Sequence, residues 1–337
     1  MERAQIDRLM AEGQFPDDTV KSQLVETHIS WVILGNRFVF KIKKPVTYSF
    51  LDFSTPEKRK YYCEREILLN RRLTRNIYLD VQPVREVSGR FFIGGEGGTI
   101  IDYAVRMQKI DPGKQMDLLL RECKVSPEDI RRLADKIASF HRSAEIIHPA
   151  GLLDVQEKFN DLEGQKDFLE ERLHAESRRL IEEAIQVSGT FIKKHKPLLA
   201  ARAAAGFFRD GHGDLHTRNI FLLPEPQPFD CIEFNDDYRR IDVLNEVAFF
   251  CMDLDAFGRQ DLSDLFINHY NRFFATMKSE ADQLLFMYYK SYRAGIRAKV
   301  NSLRAQSAEN DAAGKGYLAE TDKHLKLMGH YIVRLVG

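Results

Sequence analysis

The sequence predicts an α+β fold in which a small antiparallel β-rich part precedes a larger, mostly helical part. Three observations predict it. Short apolar or alternating segments fill positions 22–107 and are separated by turn residues such as Gly35-Asn36. One helix with Pro56 in its first turn interrupts these segments. From Met116 onward, apolar residues recur at helical spacing.

The length and charge of the chain limit its function class. The chain has 337 residues, enough for two domains or for one enzyme with a sizeable core. We divide it into a β-rich part over 1–108, a connector over 109–113 and a helical part over 114–337. Lys+Arg and Asp+Glu both number 50, so the formal net charge is zero. This balance argues against a general nucleic-acid binder or a protein of anionic membrane surfaces.

The cysteines and the first residues indicate a cytoplasmic protein. No two cysteines are close enough in sequence to form a Cys-x-x-Cys ligand pair, so we expect reduced thiols. The first eight residues lack the apolar core of a secretory signal, and no apolar run reaches the length of a membrane span. The cysteines are Cys63, Cys123, Cys231 and Cys251.

A lysine stands among the apolar residues of the strand predicted over 37–43. Lys41 shares one face of this strand with Val39 and Lys43. It could be a charge that reaches nucleotide phosphates, or an edge-strand lysine that discourages aggregation. The helix that follows carries Glu66 in an otherwise apolar row. A carboxylate in such a row needs a buried partner, and Lys41 is the candidate.

The other predicted elements are scaffold. The glycine-rich stretch 94–98 has no following helix and no Gly-Lys-Ser/Thr, so it predicts a hairpin turn rather than a phosphate loop. The charged stretch 154–205 predicts two long helices broken near Ser188-Gly189, which we interpret as scaffold rather than a substrate lid. Further strands are predicted at 81–87, 90–93 and 99–107.

The run from His212 to Asn219 carries the strongest chemical signal. It contains Asp214 and, five positions later, Asn219; Glu233 follows on a predicted apolar strand over 229–234. In phosphoryl transfer an aspartate accepts the proton of the attacking hydroxyl, while an amide and a second carboxylate hold the Mg²⁺ that neutralises the triphosphate. The spacing therefore predicts a catalytic base with a metal site close by.

The order of these motifs resembles that of the aminoglycoside phosphotransferases and choline kinases, a branch of the protein-kinase-like superfamily. The resemblance rests on the strand lysine, the helix glutamate, the connector, the His-Gly-Asp-Leu-His run, Ile232-Glu233-Phe234 and the element that begins at Asp242. It covers most of the chain. It implies a two-lobed kinase-like fold, with a small antiparallel β N-lobe containing one main helix and a larger helical C-lobe, and ATP and Mg²⁺ as cofactors.

More narrowly, three runs are similar to an uncharacterised bacterial subgroup of that family. They are Lys43–Val46, Phe50–Phe53 and Asp230–Asp237. Some members of the subgroup carry a P-loop domain after the kinase-like one. This chain shows no P-loop motif before Gly337, so we expect that second activity to be absent from it.

The resemblance implies roles for individual residues. Asp214 would be the catalytic base. Asn219 and Glu233 would bind Mg²⁺. Lys41, held by Glu66, would contact the α- and β-phosphates.

Other roles implied by the resemblance concern nucleotide contacts and support. The backbone from Met107 to Ile110 would bind adenine, and the Ser30 hydroxyl with nearby N–H groups would cover the phosphates. His216 would approach the γ-phosphate or be structural. His212 and Asp242 would brace the catalytic loop.

Two departures from the family pattern leave two functions open. Glu233 stands where the family usually has Asp, and the loop before Ser30 has no glycine. The leading hypothesis is an ATP- and Mg²⁺-dependent phosphotransferase acting on a small-molecule hydroxyl, with no nucleic-acid or membrane partner. The alternative is a nucleotide-binding regulatory module with weak or no catalysis. A protein kinase ranks lowest, because the interval from Glu233 to Asp242 is too short for a peptide platform.

Two charged groups compete as the acceptor site. An acidic cluster suits a cationic acceptor, and a basic row on one helical face suits an anionic one, while for each group a solvated face is the commoner situation, since most charged helix residues are exposed. The sequence does not decide between them. The acidic cluster is Asp253, Asp255 and Asp261, and the basic row is Lys290, Arg293, Arg297 and Arg304.

Overall fold

The computed structural model describes residues 1–17, 22–149, 151–152, 154–308 and 310–336. The chain divides into two compact units. The first unit contains a large antiparallel sheet and the second is mainly helical, which confirms the predicted α+β class. The first unit comprises Met1–Leu119 and Arg218–Tyr238, and the second comprises Leu120–Thr217 and Arg239–Gly337.

The first unit is built on a six-stranded antiparallel sheet. Its strands are β1 (Gln23–Glu26), β2 (Ser30–Leu34), β3 (Phe38–Lys43), β6 (Tyr78–Val87), β7 (Arg90–Ile93) and β8 (Thr99–Gln108). Their order across the sheet is β1-β2-β3-β8-β6-β7. The strands β4 (Thr47–Tyr48) and β5 (Leu51–Asp52) form a separate ladder, and the helices are α1 (Arg3–Glu12), α2 (Pro56–Asn70) and α3 (Met116–Arg121).

Strand β3 lies inside this sheet, paired with β2 on one side and β8 on the other. Its pleat buries Phe40 and Ile42 in the core and turns Lys41 and Lys43 to the opposite face. The lysines therefore do not protect a sheet edge, and that explanation of Lys41 is wrong. A central strand needs another reason to carry two lysines on one face.

Helix α2 begins where the sequence predicts. The Thr55 hydroxyl accepts a hydrogen bond from the backbone N–H of Lys58 at 3.3 Å, and Pro56 occupies the first helical position. From this start, the helix packs against β6 and β8 and buries Glu66 completely.

The segment that follows the run from His212 to Asn219 differs from the strand that the sequence predicts over 229–234. A short hairpin forms from β10 (Ile220–Phe221) and β11 (Gln227–Pro228), but 229–234 is not a strand. Asp230 has a φ of 62°, in the left-handed region, which ends the extended conformation just after the hairpin. Glu233 is therefore carried by an irregular segment, which Asn70 anchors to α2 by accepting a 2.9 Å hydrogen bond from the Cys231 N–H.

The second unit is a set of helices with one two-stranded ladder. The helices pack around an apolar core that includes Phe159, Leu169, Ile181 and Met328. The ladder is β9 (Phe208–Asp210) with β12 (Arg240–Asp242). The helices are α4 (Pro127–Ser143), α5 (Asp154–Asn160), α6 (Lys166–Arg172), α7 (Ala175–Ala204), α8 (Val243–Ala256), α9 (Gln260–Phe273), α10 (Glu280–Gln306) and α11 (Asp311–Val336).

The predicted break near Ser188-Gly189 is wrong, because α7 runs through it without interruption. A glycine in a helix interior costs only about 1 kcal/mol. Burial of Ile181, Ala184 and Ile192 against α5, α6 and α11 outweighs this cost. The 154–205 stretch thus packs into the helical unit, and its role as scaffold stays a prediction. Within the described ranges, no helix is both long and apolar enough to cross a bilayer.

Candidate active site

The two lysines of β3 form one buried charge cluster with α2. Lys41 Nζ lies 2.8 Å from Glu66 Oε1, and Lys43 Nζ lies 2.7 Å from Glu66 Oε2. The expected pair of Lys41 with Glu66 is therefore present, and Lys43 occupies the second oxygen. Sequence reasoning placed Lys43 on the same face but assigned it no role.

Two carboxylates from the irregular segment after the hairpin complete the cluster. Lys41 also contacts Asp230 Oδ1 at 2.7 Å, and Lys43 pairs with Glu233. Their surroundings differ: the Asp230 side chain is 46% exposed, whereas that of Glu233 is 4% exposed. The structure thus offers Asp230 to solvent and commits Glu233 to a buried ion pair.

The lysines and carboxylates of this cluster shift one another's pKa values. Burial opposes the charge of Glu66, but Lys41 and Lys43 outweigh burial and lower the pKa of Glu66 to about 2. Burial also opposes the charges of the lysines, yet the carboxylates hold the pKa of both lysines above its usual value. Burial keeps the pKa of Glu233 above its usual range despite Lys43. Both lysines are therefore cationic at neutral pH.

Asn219 lies against the start of the segment that carries Asp230. Its backbone carbonyl accepts a 2.8 Å hydrogen bond from the Phe229 N–H, so the hairpin brings it next to Asp230. Among the described residues, no three His, Cys, Asp or Glu side chains cluster as a self-sufficient metal site. Mg²⁺ needs no such cluster, since it binds through one or two carboxylates together with phosphates and water. An exposed Asp230 carboxylate near an amide-bearing Asn219 fits Mg²⁺ and does not fit a structural zinc site.

An apolar surface of the first unit adjoins the connector. Phe221 and Phe229 stack with ring centroids 4.4 Å apart, and with Met107 and Ile110 they pack partly buried against the α2 core. The Lys109 N–H donates to the Arg37 carbonyl at 2.9 Å, which ties the connector to the start of β3. Flat aromatic faces beside a fixed backbone can hold a planar base.

Ser30 is fully buried at the start of β2, opposite Lys43 in the β2–β3 ladder. Its backbone N–H donates to Thr27 Oγ1 at 2.9 Å. Its own hydroxyl has no hydrogen-bond partner within the described ranges. Its role in covering phosphates stays a prediction.

The proposed base lies in the second unit. The Asp214 side chain is 38% exposed, and His216 Nε2 lies 3.3 Å from Asp214 Oδ2. Burial opposes the charge of Asp214, but His216 and Arg297 hold its pKa well below its usual range. The His216 ring packs on Phe249 with centroids 5.4 Å apart. Asp214 is thus a partly exposed carboxylate that stays ionised.

Glu246 on α8 holds the backbone before Asp214. Glu246 Oε1 accepts hydrogen bonds from the N–H groups of His212 at 2.6 Å and Gly213 at 2.5 Å. Glu246 Oε2 contacts His141 Nε2 at 2.5 Å, and His141 Nδ1 lies 2.8 Å from the Tyr270 hydroxyl. Burial opposes the charge of Glu246, but His141 and these amides lower its pKa to about 2.

Sequence reasoning missed Glu246 as the brace of this loop. It noted Glu246 only as part of the element that begins at Asp242. Asp242 was expected to brace the loop, but its side chain pairs with Arg202 at 2.6 and 2.8 Å and caps α8 by accepting from the Leu244 N–H. The available signal was Gly211, since any Cβ there would lie 2.4 Å from Glu246 Oε2. His212 contributes as expected, because its Nδ1 accepts from the Asp214 N–H at 3.3 Å.

Solved structures with the same fold include both families that the motifs resemble. A choline kinase from Cryptosporidium parvum superposes with a TM-score of 0.57 and 12% identity over 94% of this chain and 90% of its own. The GDP complex of an aminoglycoside 2'-phosphotransferase IIIa variant superposes with a TM-score of 0.53 and 15% identity, over 99% of this chain and 98% of its own. This chain has the kinase-like fold of those enzymes. A choline/ethanolamine kinase family protein from Mesorhizobium loti superposes with a TM-score of 0.51 and 13% identity, over 97% of this chain and 99% of its own.

Curated relatives share more sequence with this kinase-like chain. Uncharacterised proteins of Mycobacterium tuberculosis and Mycobacterium bovis are 31% identical to it over 318 residues, which is 92% of this chain. The chain spans 60% of the length of these relatives. No family model matches the sequence.

Most residues of the acidic cluster and the basic row do not lie on a solvated face. In the basic row, Lys290, Arg293 and Arg297 are buried, and in the acidic cluster Asp253 and Asp255 are buried as well. The solvated-face explanation is wrong for these five residues. Each of them instead lies within the interior of the second unit.

Proposed function

We propose that this protein is an ATP- and Mg²⁺-dependent phosphotransferase that acts on the hydroxyl of a small molecule. The observation that carries the proposal is the Lys41 ammonium, which lies between buried Glu66 and exposed Asp230. Glu66 keeps the lysine charged and in place, whereas the contact with Asp230 can be exchanged for a phosphate. The kinase names of the structural neighbours support a small-molecule acceptor.

Within the first unit, the nucleotide would be bound by groups already in place. Lys41 would contact the α- and β-phosphates, and the backbone from Met107 to Ile110 would bind the adenine edge. The stacked rings of Phe221 and Phe229 would support the base. Ser30 is retained from the sequence as a candidate for covering the phosphates.

Mg²⁺ would be held by Asn219 and a carboxylate of the segment after the hairpin. The sequence proposed Glu233, but that side chain is buried and paired with Lys43. We favour Asp230, because its exposed carboxylate can reach a metal without breaking a buried ion pair. When bound, the ion neutralises the phosphates of the leaving nucleotide.

Asp214 would orient the acceptor hydroxyl and take its proton. Glu246 fixes the loop that carries Asp214, and His216 holds one carboxylate oxygen. The proton would pass from the acceptor hydroxyl to a carboxylate oxygen of Asp214. Its low pKa suits a carboxylate that acts only as the hydroxyl is losing its proton.

An acceptor screen with a nucleotide-binding assay tests the proposal. ATP with Mg²⁺ should raise the thermal midpoint of the wild type, and ATP should be consumed when a suitable hydroxyl compound is added. Asp214→Ala should keep the shift and lose consumption. GTP should be included as a second donor.

Two results would decide against the proposal. Undiminished consumption by Asp214→Ala would remove the assigned base. A shift with no turnover on any acceptor would favour the regulatory-module alternative.

A further inference from the structure

Among the described residues of the second unit, eight buried side-chain polar atoms have no hydrogen-bond partner, and three of them belong to Arg297, Asn301 and His324. Arg297 Nε, Asn301 Nδ2 and His324 Nε2 make no hydrogen bond within the described ranges. The three residues are 8%, 3% and 2% exposed. Buried polar groups are nearly always bonded, so unbonded groups in one region require an explanation.

Helix geometry brings the groups together near the proposed base. Arg297 and Asn301 are four residues apart on α10 and share one face. One turn earlier on that face, Arg293 donates to Asn245 at 2.7 Å and to the Gly213 carbonyl at 3.4 Å. Helix α11 packs along α10 and carries His324, whose pKa is lowered mainly by burial and also by Arg297.

A purely structural role for Arg297 is that of counter-ion to Asp214 and Asp253. A counter-ion normally contacts its carboxylates, as Arg202 contacts Asp242 at 2.6 Å. Within the described ranges, the Nε of Arg297 has no hydrogen-bond partner, although its charge acts on both carboxylates. Asp253 is satisfied instead by the N–H of Thr217 at 2.9 Å and its hydroxyl at 2.6 Å.

The acidic cluster does not offer a comparable site for a cation. One oxygen of Asp255 pairs with Lys290 at 2.5 Å while its other oxygen has no hydrogen-bond partner among the described residues, and Asp261 pairs with Arg259 at 2.8 Å. Asp255 and Asp261 therefore have cationic partners within the protein, whereas the Nε–H of Arg297 has no acceptor, although the charge of Arg297 helps to lower the pKa of Asp214 and of Asp253 against their burial. The N–H donors of Arg297 and Asn301 are thus left for an acceptor compound.

The hydrogen-bond polarity of the groups narrows the ligand further. Arg297 and Asn301 present N–H donors. His324 Nδ1 donates to the Glu320 carbonyl at 2.7 Å, so in the neutral ring Nε2 is an acceptor. Two donors and one acceptor match an anionic group that is accompanied by a hydroxyl.

We propose that the acceptor of this enzyme is a hydroxyl compound bearing a carboxylate or phosphate, whose anionic group is bound by Arg297 with Asn301 while His324 accepts from a hydroxyl. This inference rests on the proposed function and names its substrate class. It predicts that the chain does not phosphorylate choline or aminoglycosides, whose charge is positive.

Binding of simple anions tests the inference. The nucleotide site is first filled with ADP and Mg²⁺, and inorganic phosphate, acetate and tetramethylammonium are then titrated by calorimetry. Phosphate or acetate should bind, and the tighter of the two identifies the anionic group. Tetramethylammonium should not bind.

Variants on α10 assign the binding to Arg297. Arg297→Gln should weaken anion binding by at least about tenfold, because a charge-assisted hydrogen bond contributes roughly 1.5 kcal/mol or more. Lys299→Gln on the same helix, whose lysine pairs with Asp161 at 3.0 Å, should bind anions like the wild type. If Arg297→Gln does not fold, Asn301→Ala and the charge-conserving Arg297→Lys replace it, and both should bind less tightly.

Other results would overturn the inference. They are equal anion affinity in the Arg297 variants, no anion binding by the wild type, or preferential binding of tetramethylammonium. Failure of the proposed function is distinguishable, because it would abolish ATP-dependent turnover while anion binding at Arg297 persisted.

Discussion

The two units carry buried cations in opposite situations. In the first unit, Lys41 and Lys43 each contact two carboxylates, so every charge of the cluster is compensated before any ligand binds. In the second unit, Arg297 is also buried, but its Nε has no hydrogen-bond partner among the described residues. If the proposed function is right, the first cluster is organised in advance for the nucleotide, whereas the Nε–H of Arg297 is left for the acceptor compound.

Lys43→Met should cause the largest loss in the free energy of unfolding. The substitution leaves Glu66 and Glu233 without their shared cation in a fully buried position. Removing one partner of a buried ion pair costs about 3–5 kcal/mol. Chemical denaturation should show a loss of this size.

Lys41→Met is the matched control for that loss. Its side chain is 13% exposed, and one of its partners, Asp230, can be solvated. We expect a clearly smaller loss of stability and a clear loss of ATP affinity. Equal stability losses in the two variants would contradict the division between a structural and a phosphate-binding lysine.

The brace of the catalytic loop should make the second unit sensitive to acid. The pKa of Glu246 is about 2 in the fold against an unfolded value near 4.5. Because the folded pKa is depressed, its stabilisation is present above about pH 4.5 and is lost as the pH falls toward 2. The shift corresponds to stability on the order of 3 kcal/mol.

Glu246→Gln should remove this dependence. Its unfolding free energy should change less than that of the wild type between about pH 5 and pH 3. Parallel pH profiles of the two proteins would show that Glu246 does not act in this way.

Gly211 tests the same brace by steric means. A Cβ at this position would lie 2.4 Å from Glu246 Oε2, so Gly211→Ala should destabilise the fold by about 2 kcal/mol and reduce turnover. Gly164→Ala is the control, because a Cβ there meets nothing within 4 Å. Thermal denaturation of the pair should separate them, and identical midpoints would refute the close approach.

The smallest effect is expected for a surface pair on α2. Lys60 and Glu64 lie 3.2 Å apart and are both about half exposed. Lys60→Gln should change stability by less than about 0.5 kcal/mol, since exposed pairs contribute little. A larger loss of stability would contradict the expectation that exposed ion pairs of this protein contribute less than buried ones.

Parts of the site that depend on local periodicity could be predicted from the sequence. The period of a strand put Lys41 and Lys43 on one face, and the period of a helix put Glu66 in an apolar row. Their contact follows because a buried carboxylate needs a cation. The fold class followed in the same way, from segment lengths and spacing.

Parts that depend on long-range contacts could not be predicted. Lys43 meets Glu233 across 190 positions, and no period in either segment encodes that pairing. Asp230 was missed because a left-handed residue ends the predicted strand. The burial of Arg297 was missed because a charged residue on a helix is usually solvated, and only the packing of α11 on α10 shows otherwise.

Transfer of the terminal phosphate from radiolabelled ATP tests the central claim most directly. Wild type and Asp214→Ala are incubated with Mg²⁺, ATP and a panel of anionic, neutral and cationic hydroxyl compounds, and labelled products are separated. The account predicts labelled anionic products with the wild type and a rate at least about a hundredfold lower with Asp214→Ala at unchanged ATP affinity. Label on no acceptor with the wild type, or undiminished transfer by Asp214→Ala, would contradict it.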